Sequence, residues 1–240
     1  MIFRQFIHEE KSCLSYMIGC VTKGTVAVVD PQADLSIYLD TAERHGLSID
    51  YVIDTHTHAD HLSGARQLVQ FTGATLIMHE NSEVEGVGQK VRAGDTINVG
   101  NRRIEVLATP GHTTDSITLH VDNWYLLTGD TLFVGDIGRV DLALGEISGE
   151  EIQTNAGKLY DSIQKLKNLP EWTEIYPGHF AGSSCGKGLS SKMISTIGRE
   201  KIKNEALAMP REQFVQYVTS NQPDMQEGYK QIKKTNITAL

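Results

Sequence analysis

The chain has 240 residues and a formal net charge of −8 at pH 7, which argues against nucleic acid or an anionic membrane surface as a general partner. Hydrophobic residues at 40% and charged residues at 22% are usual for a globular protein, and the length suits one large domain with its own core. No run of about 18 apolar residues is present to cross a membrane.

The N-terminus "MIFRQFIHEEKSC" alternates apolar and polar residues, unlike the unbroken apolar run of a signal peptide. Cys13, Cys20 and Cys185 show no framework spacing, so free thiols in a reducing cytoplasm are expected. "FRQFIH", "LSYMIGCV" and "TVAVVD" read as strands. "DLSIYLDTAERHG" reads as a helix that places Gly46 at its C-terminal cap. "YVIDT" is a strand, "SGARQLVQFTG" a short helix and "ATLIMH" a strand. "DTINVGNRRIEVLAT" and "SITLHVDNWYLLTGD" each read as two strands about a turn, the second turn at Asp122-Asn123. From Ser148 to Asn168, residues Ile152, Ala156, Leu159, Tyr160, Ile163 and Leu166 follow a helical period. "TEIYP" is a further strand, "SKMISTIGREKIKNEALAM" and "REQFVQYVTS" are helices, and a polar tail follows. Two sheets packed face to face under helical outer layers are implied.

Ligand-type residues collect just after the strands. His56, His58, Asp60 and His61 follow "YVIDT", His112 ends "PGH" after "IEVLAT", Asp130 follows "WYLLTG", and His179 ends a second "PGH". Strand ends of one sheet share a rim, so loops far apart in sequence can converge there. In an extended segment His56 and His58 would point to one side and reach one ion. Gly111 and Gly178 would allow the tight turns that aim the next histidine inward. Such groups packed together without a cation would cost heavily in desolvation and repulsion, so the cluster reads as a metal site. His8, His45, His79 and His120 share no loop with another ligand type and read as core or surface residues.

Taken together, "HTHADH", "PGHT", "GD" and "PGH", in this order between about residues 10 and 180, resemble the metallo-β-lactamase superfamily. The resemblance implies an α+β fold, a four-layer αββα sandwich forming a single domain over residues 1–240, with a helical C-terminal extension at 185–240. It places His56, His58 and His112 at a first metal position, Asp60, His61 and His179 at a second, and Asp130 as the bridging carboxylate.

"TGDTLFVGDIGRVDLAL", "HADHLSGA" and "YPGHFAGSSCGKGLSSKMISTIGREKIKNEAL" are similar to the persulfide dioxygenases, in the form often fused to rhodanese domains. That subgroup implies one Fe(II) per chain on His56, His112 and Asp130, with His58, Asp60, His61 and His179 orienting those ligands. The implied activity is oxidation of the sulfane sulfur of glutathione persulfide, or a similar small persulfide, to sulfite by dioxygen with release of the thiol. A rhodanese-type sulfurtransferase is the expected partner, and a homodimer is expected by family analogy. The runner-up is a dinuclear Zn(II) thioester hydrolase of the glyoxalase II, or hydroxyacylglutathione hydrolase, type. Against it, that family usually continues with aromatic residues and Glu where "VDL" stands here, and no clear counterpart of its basic glutathione-binding helices is found. A metal-binding sulfur-carrier or sensor module is the reading of another class.

Three further residues carry two readings each. By resemblance Arg139 and Asp141 lie near the substrate, where Arg139 either binds a carboxylate of the thiol carrier or forms a buried pair with Asp141 that fixes the loop. Cys185 is either a sulfur-accepting thiol beside the iron or a small residue in a Gly/Ser turn. Lys187, Lys192, Arg199, Lys201 and Lys203 give the C-terminal segment a basic face, and Trp124, Phe133 and Tyr176 are expected in the core.

Overall fold

A computed structural model describes residues 1–220 and 222–238. In the first sheet β1 (Ile2–His8), β2 (Cys13–Cys20) and β3 (Thr25–Val29) run antiparallel, and β4 (Ser48–Ile53), β5 (Thr75–His79) and β6 (Gln89–Val91) continue it in parallel. In the second, β7 (Thr96–Val99), β8 (Arg102–Ala108), β9 (Ile117–Val121) and β10 (Tyr125–Gly129) form an antiparallel meander. β11 (Glu174–Pro177) joins β10 in parallel and β12 (Ser195–Thr196) closes the edge. The helices are α1 (Ser36–Arg44), α2 (Ala65–Thr72), α3 (Gly149–Lys167), α4 (Ile197–Lys203), α5 (Glu205–Ala208), α6 (Arg211–Thr219) and α7 (Tyr229–Ile237).

The two-residue period of β2 and β3 sorts the layers. Tyr16, Ile18, Ala27 and Val29 face Ile104, Val106, Leu119 and Leu127 of the second sheet. Their neighbours Met17, Val26 and Val28 turn outward onto Tyr38 and Ala42 of α1 and Leu68 of α2. On the far side, Leu126 and Ile175 meet Leu159 and Ile163 of α3 and Phe214 of α6. Central strands covered on both faces account for their continuous apolar runs, and the result is the four-layer sandwich with helices outside. α3 begins where Ser148 and Glu151 form a reciprocal capping box.

Four details depart from the sequence reading. The helix expected over 191–209 is broken into β12, α4 and α5. Ser195 and Thr196 pair with the edge of β11, and Asn204 leaves the helical conformation to place its amide on the Asp136 carbonyl. The polar tail contains α7, whose amphipathic signal is weak but whose backbone is anchored by Arg66. β6 is three largely polar residues held by pairing with β5, without a propensity signal. Trp124 is 46% exposed because it follows the hairpin turn at Asp122 and Asn123, both in the left-handed region; Phe133 is fully buried and Tyr176 half-buried. Among the described residues no helix is long and apolar enough to cross a membrane.

Candidate metal centre

Loops from both sheets meet at one rim. His56 follows β4, His112 follows β8 and Asp130 follows β10, and all three are buried. Their ligand atoms lie within 4.8 Å of one another. Asp130 Oδ2 is 3.4 Å from His112 Nε2 and 3.9 Å from His56 Nε2. His56 Nε2 and Asp130 Oδ2 are buried without a hydrogen-bond partner among the described residues, a costly state that a shared cation would relieve. Burial holds the His56 and His112 imidazoles below their ordinary range, despite the nearby Asp130 carboxylate, so both rings are neutral and can act as ligands. His112 Nδ1 donates to the Arg139 carbonyl at 2.9 Å, which leaves Nε2 as its lone-pair nitrogen. Burial alone would raise the Asp130 carboxyl, but the facing His179 outweighs it and holds the group below the usual carboxylate range.

A second buried cluster lies beside the first. His179 Nε2 and His61 Nδ1 each stand 2.9 Å from Asp60 Oδ2. Cys13 joins them, with Sγ 3.3 Å from His179 Nε2, 3.5 Å from Asp60 Oδ2 and 4.0 Å from His61 Nδ1. The backbone explains the approach. Cys13 and His179 form an isolated β-bridge between the two sheets, with Leu14 N donating to Gly178 O at 2.7 Å and Phe180 N to Ser12 O at 3.1 Å. The Cys13 thiol also donates to the Lys11 carbonyl at 3.2 Å. Sequence reasoning assigned Cys13 no part in the site, because nothing in the spacing from Cys13 to His179 signals a cross-sheet bridge.

His58 does not share the ligand atoms of His56. Residues 54–64 turn sharply rather than running extended, and His58 Nε2 faces Asp30 Oδ1 at 3.2 Å and Asp54 Oδ1 at 3.8 Å. Asp30 and Asp54 were also missed; each lies at the end of a first-sheet strand, the one positional signal that could have found them. Asp30 further accepts from Thr55 N and Thr55 Oγ1 at 2.7 and 2.9 Å, holding the start of the ligand loop. The two "PGH" glycines have steric reasons. Gly111 has φ +144°, and a Cβ there would meet Leu159 at 2.4 Å; at Gly178 a Cβ would meet Asp130 Oδ1 at 2.5 Å.

Arg139 is buried and pairs with Asp141 through Nε at 2.6 Å and Nη2 at 2.9 Å. Its Nη1 donates to the carbonyls of Ser184 and Pro223 at 2.9 and 3.0 Å. Its guanidinium therefore ties three stretches of chain together, the arrangement of the loop-fixing reading. Cys185 is buried, with Sγ inside the 4.8 Å group that also contains ligand atoms of Asp130 and His179; burial pushes its thiol well above the ordinary value. Of the basic C-terminal residues, Lys187 is committed to the Tyr217 and Ser220 carbonyls.

The segment that leads into the first residue of α7 lies over Asp60, Arg139 and Cys185. Met225, Gln226 and Tyr229 close a void of only about 10 Å³ beside Arg139 and Cys185. Asn236 Nδ2 donates to the His58 and His61 carbonyls at 2.9 and 2.8 Å, and its Oδ1 accepts from Ser63 N at 3.0 Å. A cleft of about 430 Å³ opens on His112 and is lined by Leu142, Glu150, Asn155, Lys158 and Lys233. Another of about 540 Å³ reaches Asp60 and His61 from the side of His8, Lys11 and Gln32.

Two sheets between helical layers, with buried His/Asp clusters at one rim, define a metal-binding sandwich. The chain belongs to the Metallo-beta-lactamase superfamily, whose family profile matches residues 8–179. It is 35% identical to a metallo-beta-lactamase from Staphylococcus aureus of known crystal structure, with a TM-score of 0.94 over 100% of this chain and 74% of that one. It is 32% identical to ETHE1 from Myxococcus xanthus, with a TM-score of 0.83 over 99% of this chain and 96% of that one. Among curated proteins it is 37% identical to a hydroxyacylglutathione hydrolase of Polaromonas sp. over 69% of this chain and 61% of that protein. It is 32% identical to a beta-lactamase hydrolase-like protein of Agrobacterium fabrum over 88% of this chain and 54% of that protein. The chain thus spans between about half and two-thirds of the length of these curated relatives.

Proposed function

We propose that the chain is an iron-dependent dioxygenase that oxidises the sulfane sulfur of glutathione persulfide, or a similar small persulfide, to sulfite. The observation that carries this reading is the three-donor set of His56, His112 and Asp130, with two of its donor atoms buried and unpaired. His58 is turned to Asp30, and Asp130 Oδ1 is occupied by His179. Two imidazoles and one carboxylate, with no fourth protein donor in that group among the described residues, suit a non-haem Fe(II) site better than a bridged pair of Zn(II) ions. When bound, Fe(II) supplies open positions at which a soft anionic sulfur and dioxygen can meet.

The overall balance is R–S–SH + O₂ + H₂O giving R–SH, sulfite and two protons. The terminal sulfur loses four electrons and dioxygen takes four, so no external reductant is needed. The chain's own residues set the stage. The Arg139 carbonyl fixes the His112 ring, His179 holds the Asp130 carboxylate, and Met225, Gln226 and Tyr229 leave little room for water beside Asp60 and Cys185. The cleft at His112 is lined by Lys158 and Lys233 as well as Glu150 and Glu151, a mixed lining that suits a carrier bearing both carboxylates and an ammonium group. The "GRVDL" segment and the nearly end-to-end likeness to ETHE1 support the same reading.

The hydroxyacylglutathione hydrolase relatives favour thioester hydrolysis as the second reading. Anaerobic purification, elemental analysis, and dioxygen uptake with glutathione persulfide separate the two. Iron at the triad with uptake of dioxygen and formation of sulfite is the expected result. Zinc there, with cleavage of a glutathione thioester and no uptake, would overturn it.

A further inference from the structure

We infer that residues 222–233 form a flap over the metal centre, pinned at both ends, which swings out together with the Leu142 segment to admit the substrate. The inference rests on the dioxygenase reading for what enters, and on the fold alone for the motion.

The centre is shut while the flap lies down. His56, His112 and Asp130 are each 2% exposed. The cleft of about 430 Å³ that suits the thiol carrier has His112, Leu142 and Ala143 among its walls. Leu142 is also a wall of the void of about 10 Å³, together with Asp60, Arg139 and Cys185. Those walls adjoin the centre. Cys185 Sγ shares a 4.8 Å group with ligand atoms of Asp130 and His179, and the Arg139 carbonyl holds the His112 ring. A void of this size has room for about one water and none for a persulfide. Leu142 therefore partitions the cleft from the void, and Met225, Gln226 and Tyr229 cap the void.

The flap fastens that partition. Lys233 Nζ donates to the Leu142 carbonyl at 2.7 Å, and Tyr229 OH to the Ala143 carbonyl at 3.3 Å. Residues 142–147 belong to no helix or strand and take this fastening from α7. The Pro223 carbonyl accepts from Arg139 Nη1 at 3.0 Å, a third tie from the flap to the same loop.

The ends of the segment are held differently from its middle. Lys187 Nζ donates to the Ser220 carbonyl at 2.6 Å. At the other end Arg66 donates to the Thr235 and Asn236 carbonyls at 2.6 Å each, and Glu85 N to the Ile237 carbonyl at 2.8 Å. Asn236 is the one buried residue among those described after 221. Between the pins the apolar side chains of Met225, Tyr229 and Ile232 are only half-buried. Surface hydrogen bonds exchange for water at small net cost, so the middle can lift while the pins hold. A segment with few buried apolar contacts sits at the low-stability end of a fold, where active-site lids are drawn from.

Iodoacetamide labelling of the full-length chain, read cysteine by cysteine by peptide mass spectrometry, tests the flap. Cys185 lies beneath it, whereas Cys20 packs at the turn of Gly100. In the double variant Tyr229→Phe, Lys233→Met, Cys185 should react about tenfold faster than in the wild type, the weight of one or two hydrogen bonds. Cys20 should react at its wild-type rate. Equal rates at Cys185, or a gain shared by Cys20, would overturn the inference. Hydrogen exchange on the unmutated protein needs no variant to fold. The hydrogen-bonded amides of α7 should exchange on the order of a hundredfold faster than those of α3, and equal protection would refute the flap as well. Both readouts need neither iron nor dioxygen. Absence of dioxygen uptake with the flap confirmed removes the dioxygenase reading alone, and uptake with Cys185 labelled equally removes the flap alone.

Discussion

His179 Nδ1 donates to Asp130 Oδ1 at 2.8 Å, while the other oxygen of the same carboxylate faces His56 and His112. One carboxylate thus joins the two clusters, and its two oxygens have different duties. Asp130→Ala removes the only anionic donor of the triad, and elemental analysis should find its iron reduced to background. His179→Ala leaves all three triad donors in place and takes from them the hydrogen bond that steadies Asp130, so iron should remain, bound about 10–100-fold more weakly. Complete iron loss in both variants would instead mean that the two clusters hold their metals jointly.

Arg139→Ala leaves the Asp141 carboxylate and the Ser184 and Pro223 carbonyls without their buried partner. Breaking a buried pair from one side costs about 3–5 kcal/mol, and a urea titration should show a loss of that order. Folded Arg139→Ala protein should keep its KM for persulfide. A KM raised more than about tenfold with stability unchanged would point to substrate binding by the guanidinium, since one lost contact of about 1.4 kcal/mol already gives that factor.

Burial pushes His8 down from its ordinary 6.5 to about 4, the facing His61 adding to the fall and Asp34 opposing it. The unfolded chain therefore takes up this proton first. The share of stability from His8 is complete above 6.5 and is lost as the pH drops toward about 4. Asp54 acts in the opposite sense: burial lifts it from 3.8 to about 6, so its share is complete below 3.8 and is lost as the pH rises to about 6. The difference between wild type and His8→Gln isolates the first effect. Urea midpoints taken from pH 7 to pH 4 should fall less steeply in the variant, and parallel curves would refute the assignment.

Asn236→Ala frees the His58 and His61 carbonyls and Ser63 N at once. Leaving such buried groups unpaired costs about 1–3 kcal/mol. Amide hydrogen exchange should accelerate in α7 and in the loop at 57–63 together, while the α3 amides stay protected. Acceleration confined to α7 would show that the strap does not reach the ligand loop.

The sandwich was legible in the sequence because its central strands are covered on both faces and so read as apolar runs, and because α3 carries a clear helical period. The rim was legible because His56, His112, Asp130 and His179 each stand just beyond a strand. What escaped depends on tertiary contact. Cys13 joins the site through a cross-sheet bridge, and His58 turns away because Asp30 and Asp54 accept its ring. α7 is held by Arg66 and by the Asn236 contacts more than by its own weakly amphipathic sequence. Apart from the strand-end positions of Asp30 and Asp54, these contacts leave no local pattern to read.

The β-bridge between Cys13 and His179, and a triad that draws His56 from one sheet and His112 and Asp130 from the other, also set the order of events in folding. Neither sheet alone supplies all of His56, His112 and Asp130, so capture of an ion by this triad must follow docking of the sheets. A refolding chain would regain its secondary structure before it regains its metal, and a chelator present throughout would act only on the last step.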